Sequence, residues 1–162
     1  MAKKSTQPVP MGYSTVTPGL CFASTLKAIE FYKQAFGAEQ RELMLGPGGS
    51  VMHAELKIGS SMIMMGDEMP GMNQIVQTLG GSPVAFFLYV ADADAAQRKA
   101  LAAGAKEIMP VSDQFWGDRM GQVEDPFGLR WSLATRVTDM TPEEMRQAGE
   151  AWMKKMACAD KG

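Results

Sequence analysis

The sequence has only two cysteines, Cys21 and Cys158, far apart and with no neighbouring histidine, in 162 residues. That excludes a disulfide framework and a zinc-finger spacing, and makes a reducing compartment the expectation. Charge of one sign is also lacking: 16 Lys and Arg against 18 Asp and Glu leave a formal −2, with no basic surplus to neutralise phosphates. Nucleic acid is therefore not an expected partner. No apolar run reaches the about 18 residues that a membrane-spanning helix needs. Lys3 and Lys4 are followed by no apolar stretch of the kind a secretory leader carries. A cytoplasmic protein that touches no membrane is expected. Aromatic residues are few, with 3 Trp, 3 Tyr and 7 Phe, whereas 15 methionines fill much of the 46% hydrophobic share. Methionine fills irregular core gaps and also lines adaptable pockets. Catalytic signatures are missing as well: there is no GxGxxG, GxxxxGK[ST], GxSxG, HExxH or CxxC, and Gly46-Pro47-Gly48-Gly49 reads as a hairpin turn with no helix behind it. Nucleotide cofactors, the hydrolase elbow and dithiol chemistry fall away.

What is present is ordinary globular composition, long enough for one core or two small modules. Thr141-Pro142-Glu143-Glu144 offers a cap hydroxyl, a proline at the first helical position and a glutamate at the third, so a helix starts there. Met145, Ala148, Trp152 and Met156 follow as an apolar stripe that must dock on this chain or on another copy. Leu26, Ile29, Tyr32 and Phe36 recur at helical spacing after Ser24 and Thr25, and Gly37 stops them. Ala93, Ala96, Ala100 and Ala103 do the same between Asp92 and Gly104. Short alternating runs bounded by Gly and Pro predict strands over Tyr13–Cys21, Glu39–Leu45, Val51–Ile58, Ser61–Met65, Val84–Val90, Glu107–Val111, Arg119–Glu124 and Leu129–Thr135.

The order β, α, β, β, β thus occurs twice. Gly37-Ala38 returns 67 residues later as Gly104-Ala105, and Ile58-Gly59 returns 69 residues later as Phe127-Gly128. The expectation is an α+β fold of two tandem βαβββ modules forming curved mixed sheets around a cavity. The domain is read as residues 12–137, with module one at 12–66, a linker at 67–83 and module two at 84–137. A tail over 1–11 and a C-terminal helix over 141–157 flank it.

Several stretches carry a family resemblance: Ala28-Ile29-Glu30-Phe31-Tyr32-Lys33, His53-Ala54-Glu55-Leu56, Gln77-Thr78-Leu79-Gly80-Gly81-Ser82-Pro83, Asp113 to Arg119, Glu124 to Gly128 and Trp131 to Thr135. With the doubled βαβββ order, the chain from about Gly12 to Met145 resembles the glyoxalase/bleomycin resistance/extradiol dioxygenase, or vicinal oxygen chelate, superfamily, and within it the PhnB-like subgroup. The resemblance implies architecture rather than chemistry. It also implies that metal-dependent members take one ligand from the first and last strand of each module. Those positions fall on Ser14, Met64, Ala85 and Ser132, none a good divalent-metal ligand. Relatives commonly carry histidine where this chain has Ser14, and others where it has Phe87 and Arg136. No metal or other cofactor is therefore expected, the alternative being a divalent ion (Zn, Ni, Mn or Fe) at a relocated site.

The single histidine is the pivot of that alternative. Alternation along Val51–Ile58 sets Met52, Ala54, Leu56 and Ile58 on the helix side and His53, Glu55 and Lys57 on the other. The 69-residue offset brings Gln122 and Glu124 to equivalent positions, making His53, Glu55 and Glu124 candidates for acid/base or metal work, with polar contacts at a sheet seam or subunit interface the plainer reading of the same residues. Met62, Met64, Phe87, Tyr89 and Ser132 suit an apolar cavity lining or plain core. Phe115 and Trp116 offer a ring platform or an aromatic plug, and Arg130 and Arg136 an anion hold or solvated strand ends. Cys21 reads as an inert thiol.

The leading expectation is a homodimer that binds a small, largely apolar ligand without metal. Two alternatives stand beside it: a metal-dependent glyoxalase-like lyase, isomerase or dioxygenase, and a protein-association domain acting through the last helix.

Overall fold

The protein, seen as a computed structural model, is described over residues 5–159 and divides into two compact units, one ending at Pro83 and the other starting at Val84. The first unit runs β1 (Gly19–Phe22), α1 (Thr25–Phe36), β2 (Glu39–Leu45), a 3-10 turn over Pro47–Gly49, β3 (Val51–Ile58), β4 (Ser61–Asp67) and a short α2 (Val76–Leu79). The second runs β5 (Ala85–Tyr89), α3 (Ala93–Ala102), β6 (Lys106–Asp113), β7 (Asp118–Glu124), β8 (Arg130–Arg136) and α4 (Pro142–Ala159). Each unit holds one four-stranded mixed sheet, ordered β1-β4-β3-β2 and β5-β8-β7-β6, in which only the first-listed pair is parallel. The fold is α+β, two tandem βαβββ modules with a C-terminal helix.

In the first unit α1 lays Thr25, Ala28, Ile29, Phe31, Tyr32 and Ala35 against the sheet. Leu26, expected on that stripe, is exposed, because the buried face is rotated toward the small residues Thr25 and Ala28 that permit close approach. Opposite them Ala54, Leu56 and Ile58 of β3 and Ile63 and Met65 of β4 are buried. Each large apolar side chain removed from water contributes roughly 1.5–3 kcal/mol. Gly37 ends α1 at φ 67°, a left-handed turn that glycine adopts without strain.

In the second unit α3 lies on β7 so closely that a β-carbon at Gly121 would collide with the buried Gln97 side chain. Arg119 of β7 grips Asp94 of α3 through Nε at 2.6 Å and a terminal nitrogen at 2.9 Å. The α4 stripe docks on this same unit: Phe115 packs beside Gly149, and Phe115 and Trp152 stack tilted with centroids 5.4 Å apart. Toward the helix end Met153 and Met156 stay exposed.

Two sequence expectations need correction. The first strand begins at Gly19, not Tyr13. Pro18 has no N–H to give a ladder, Tyr13 N–H turns back to the Pro10 carbonyl at 3.1 Å, and the Thr17 hydroxyl donates to the Ser14 carbonyl at 3.1 Å. Pairing starts only where the Pro18 carbonyl accepts from Met64 N–H. The second correction is Met52, expected on the helix side but 50% exposed. The β2 to β3 register runs from Met44 opposite His53 to Leu45 opposite Val51, so Met52 is the extra residue of a β-bulge and Val51 takes the buried place. Among the described residues no helix is long and apolar enough to cross a membrane.

Candidate functional site

On the first unit's sheet, β3 alternation and the pairing of Glu55 with Met64 and Lys57 with Met62 set His53, Glu55, Lys57, Met62 and Met64 on the face away from α1. There His53 Nε2 lies 3.0 Å from Glu55 Oε1. A carboxylate only accepts, so Nε2 carries the proton of that bond. Glu55 accepts a second hydrogen bond, from the Tyr13 hydroxyl. Tyr13 is thereby pushed up to about 12, first by that hydrogen bond, then by burial and by the charges of Glu55 and Glu42. The Tyr13 and His53 donors hold the Glu55 carboxyl below its usual range.

Two pockets flank this Tyr13–Glu55–His53 line. One, of about 300 Å³, is walled by Tyr13, Glu55, Arg41, Lys57, Met11 and Met62. The other, of about 230 Å³, has His53 in its wall with Leu20, Cys21, Met64, Met65 and Asn73. Burial first, then nearby Glu68 and Asp67, push the Cys21 thiol up, which keeps it protonated and a poor nucleophile.

The second unit presents different chemistry on the sheet face that α3 leaves free. Register places Phe87, Ser132 and Gln122 in one row and Tyr89, Ala134 and Met120 in the next. Phe87 and Tyr89 are 54% and 58% exposed, with ring centroids 6.0 Å apart. Beneath them the Asp118 carboxylate is buried at 1% exposure. Its Oδ2 accepts from Tyr89 Oη at 3.1 Å and from Trp116 Nε1 at 2.9 Å, and its Oδ1 faces Arg136 Nε at 3.1 Å. Arg136 also donates to the Trp116 carbonyl at 2.9 Å. Tyr89, Trp116 and Arg136 are separate candidates in the sequence, and the Asp118 carboxylate that gathers them carries no sequence signal. Phe115 is occupied by Trp152 rather than open as a platform. Ser132 is buried and takes a hydrogen bond from Gln122 Nε2 at 3.3 Å, and Glu124 has Arg130 at 3.9 Å.

A family model described as the Glyoxalase/Bleomycin resistance protein/Dioxygenase superfamily matches residues 19–133, more than half of the chain. The chain belongs to this superfamily. The uncharacterized protein Rv0887c of Mycobacterium tuberculosis is 39% identical over 137 residues, covering 82% of this chain and 81% of that one. The X-ray structure of the Arabidopsis thaliana product At5g48480 matches with TM-score 0.61 at 32% identity, over 75% of this chain and 98% of that one. The PhnB protein from Bacillus cereus shares the fold, with TM-score 0.60 at 18% identity, over 75% of this chain and 99% of that one.

The superfamily's metal-ligand positions, carried onto this chain by resemblance, do not fit a divalent cation. Ser14 is exposed and lies outside β1, Met64 offers a thioether, Ala85 offers a methyl group, and the Ser132 hydroxyl is buried beside Gln122. Protein sites for Zn²⁺, Ni²⁺, Mn²⁺ or Fe²⁺ are built from carboxylate and imidazole donors, with thiolate added for the softer ions. Among the described residues no three His, Cys, Asp or Glu side chains are grouped to hold a metal.

Proposed function

We propose that this superfamily member binds a small, largely apolar ligand without a catalytic metal, as a cytoplasmic homodimer. The observation that carries the reading is the exposed Phe87–Tyr89 ring pair, of which Tyr89 is tied at its hydroxyl to the buried Asp118 carboxylate. Exposed aromatic surface is costly to leave open unless something lies on it, and a ring fixed at its hydroxyl presents a constant face to a flat ligand. Bleomycin resistance stands in the superfamily's description beside glyoxalase and dioxygenase, so binding of an organic molecule lies within the range that description covers. The donor-poor superfamily positions support metal independence.

The test is fluorescence titration of untagged protein with bleomycin and with 1-anilinonaphthalene-8-sulfonate, alongside elemental analysis of the protein as purified. Saturable binding that Phe87→Ala weakens by about 10-fold, roughly 1.4 kcal/mol, is expected with no stoichiometric metal. One metal per chain that disappears in His53→Ala would overturn it in favour of a metal-dependent lyase, isomerase or dioxygenase.

A further inference from the structure

The first unit carries an ionisable site of a kind that the aromatic platform does not explain. His53 is the only histidine in the chain, and its Nε2–H is spent on Glu55 Oε1 at 3.0 Å. The Tyr13 hydroxyl stands beside the Glu55 carboxylate as a second donor. An imidazole whose Nε2 is the donor must, when neutral, leave Nδ1 as a lone-pair acceptor. Nδ1 has no hydrogen-bond partner among the described residues, while the ring stands in the wall of the pocket lined by Leu20, Cys21, Met64 and Met65. The His53 side chain is partly exposed, so a ligand donor at Nδ1 would take the place of water there.

We infer that His53 Nδ1 is the acceptor of a ligand-binding site for a molecule bearing an acidic O–H or N–H on an apolar body, with Glu55 and Tyr13 as positioning residues. The thioether of Met64, on the same sheet face as His53, receives the apolar body with Cys21 beside it, while Met65 and Leu20 share the opposite face. The O–H or N–H hydrogen-bonds to Nδ1, and for a sufficiently acidic ligand the proton crosses: the ligand O–H bond breaks, Nδ1–H forms and the ligand is left as an anion. The resulting imidazolium lies between that anion and the Glu55 carboxylate, which stabilises it. A ligand that arrives already anionic gains less, because Glu55 repels it until Nδ1 holds a proton. Only the apolar character of the ligand rests on the function proposed above; the tautomer and the acceptor role stand on the geometry of His53.

One histidine makes the test direct, since a long-range ¹⁵N–¹H NMR spectrum of uniformly labelled full-length protein contains a single imidazole set. The expected spectrum of the neutral ring shows a proton-bearing Nε2 and a bare Nδ1. A proton-bearing Nδ1, or an even mixture, overturns the proposal on the wild-type protein, with no variant needed. Glu55→Ala is expected to average the two tautomers, and the milder Tyr13→Phe to move the Nε2 resonance part of the way. The probe is 4-nitrophenol, whose phenolate absorbs visibly. Wild-type protein is expected to raise the phenolate fraction and move Nδ1 to the proton-bearing type, and His53→Ala to weaken binding at least 10-fold. Failure of 4-nitrophenol to bind, or binding that leaves His53 unmoved, sinks this site. Neither result touches the Phe87-dependent binding of bleomycin, whose own failure would leave the histidine result standing.

Discussion

The two modules share a topology and differ in where they keep their carboxylates. In the first, Asp67 at the end of β4 reaches across the unit: its Oδ1 accepts from Thr25 N–H at 2.7 Å, opening α1, and its Oδ2 from Val51 N–H at 2.8 Å, opening β3. Ser24 occupies the cap position of α1 but makes no side-chain cap bond. In the second, the equivalent helix is capped locally, by Asp92 accepting from Ala95 N–H at 2.9 Å, and the buried carboxylates serve loops and rings instead. Asp125 accepts from Phe127 N–H, Leu129 N–H and Trp131 Nε1, at 2.9, 2.9 and 3.0 Å. Asp118 holds Tyr89, Trp116 and Arg136. One architecture therefore tolerates either long-range or local capping. Each carboxylate freed from capping becomes available to fix a loop or a ligand-facing ring.

The sharpest way to break this contrast is to remove the anchor of each module in turn. Asp125→Ala strips three donors of their acceptor in a buried setting, and at about 1–3 kcal/mol for each stranded group the loss is expected to reach at least about 3 kcal/mol. Asp67→Ala strips two and is expected to cost about 2–3 kcal/mol. Urea unfolding checks both, and an Asp67 effect larger than the Asp125 effect would reverse the ranking. The first anchor also has a pH signature. Burial pushes the Asp67 carboxyl up, but the Thr25 and Val51 backbone donors, with the Thr25 side chain, together pull it below its usual range. A carboxyl lower in the folded than in the unfolded chain adds stability above its unfolded value, about 3.9, and loses it as pH falls through the folded value. Stability should decline on acidification below about pH 5, and Asp67→Asn should flatten part of that slope.

The modules differ next in their working faces. The 69-residue offset that aligns His53 and Glu55 with Gln122 and Glu124 keeps the carboxylate and replaces the imidazole by an amide. Gln122→His tests whether the first module's pairing follows from sheet position alone. The variant is expected to fold with a loss under about 1.5 kcal/mol, the worth of the Gln122 to Ser132 bond, and to add a second histidine signal in the NMR spectrum. That signal should show a weaker tautomer preference, since Glu124 is engaged by Arg130 rather than by a tyrosine hydroxyl. An equally strong preference would mean that Tyr13 contributes nothing to the first site.

The repeat, the mixed sheets and most element bounds were legible because they rest on local signals: two-residue alternation, helical spacing and glycines at positive φ such as Gly37 and Gly59. The bulge at Met52 was not, because one extra residue leaves no mark on composition and shifts only the partner strand's register. The false start of β1 came from reading through Pro18, whose missing N–H ends the ladder. At the site, His53 and Glu55 could be placed on one face by alternation. Tyr13 could not, because it reaches Glu55 from a turn 42 residues away in sequence. Asp118 was hidden for a related reason: a lone aspartate after Trp116-Gly117 looks like any loop residue until β5 and β8 bring Tyr89 and Arg136 to it. Long-range polar convergence is a property of the folded sheet and not of any window of sequence.

The smallest expected effect sits where sequence and structure agree most closely, at the start of α4. The Thr141 hydroxyl accepts from Glu144 N–H at 3.3 Å, while Glu144 Oε2 accepts from Thr141 N–H and hydroxyl at 2.8 Å each, a reciprocal capping box. Thr141→Ala keeps the backbone donation to Glu144 but strands the Glu144 N–H, at a cost of about 1 kcal/mol of local helix stability. Because α4 is tied to its unit chiefly by Phe115 against Gly149 and Trp152, fraying at its first turn should not unfold the sheet. Hydrogen exchange is expected to quicken over the first turns of α4 alone, with the urea midpoint of the whole protein nearly unchanged. A cooperative drop in that midpoint would instead make the helix part of the second module's core, and would turn the exposed Met153 and Met156 from a free end into the flank of a structural element.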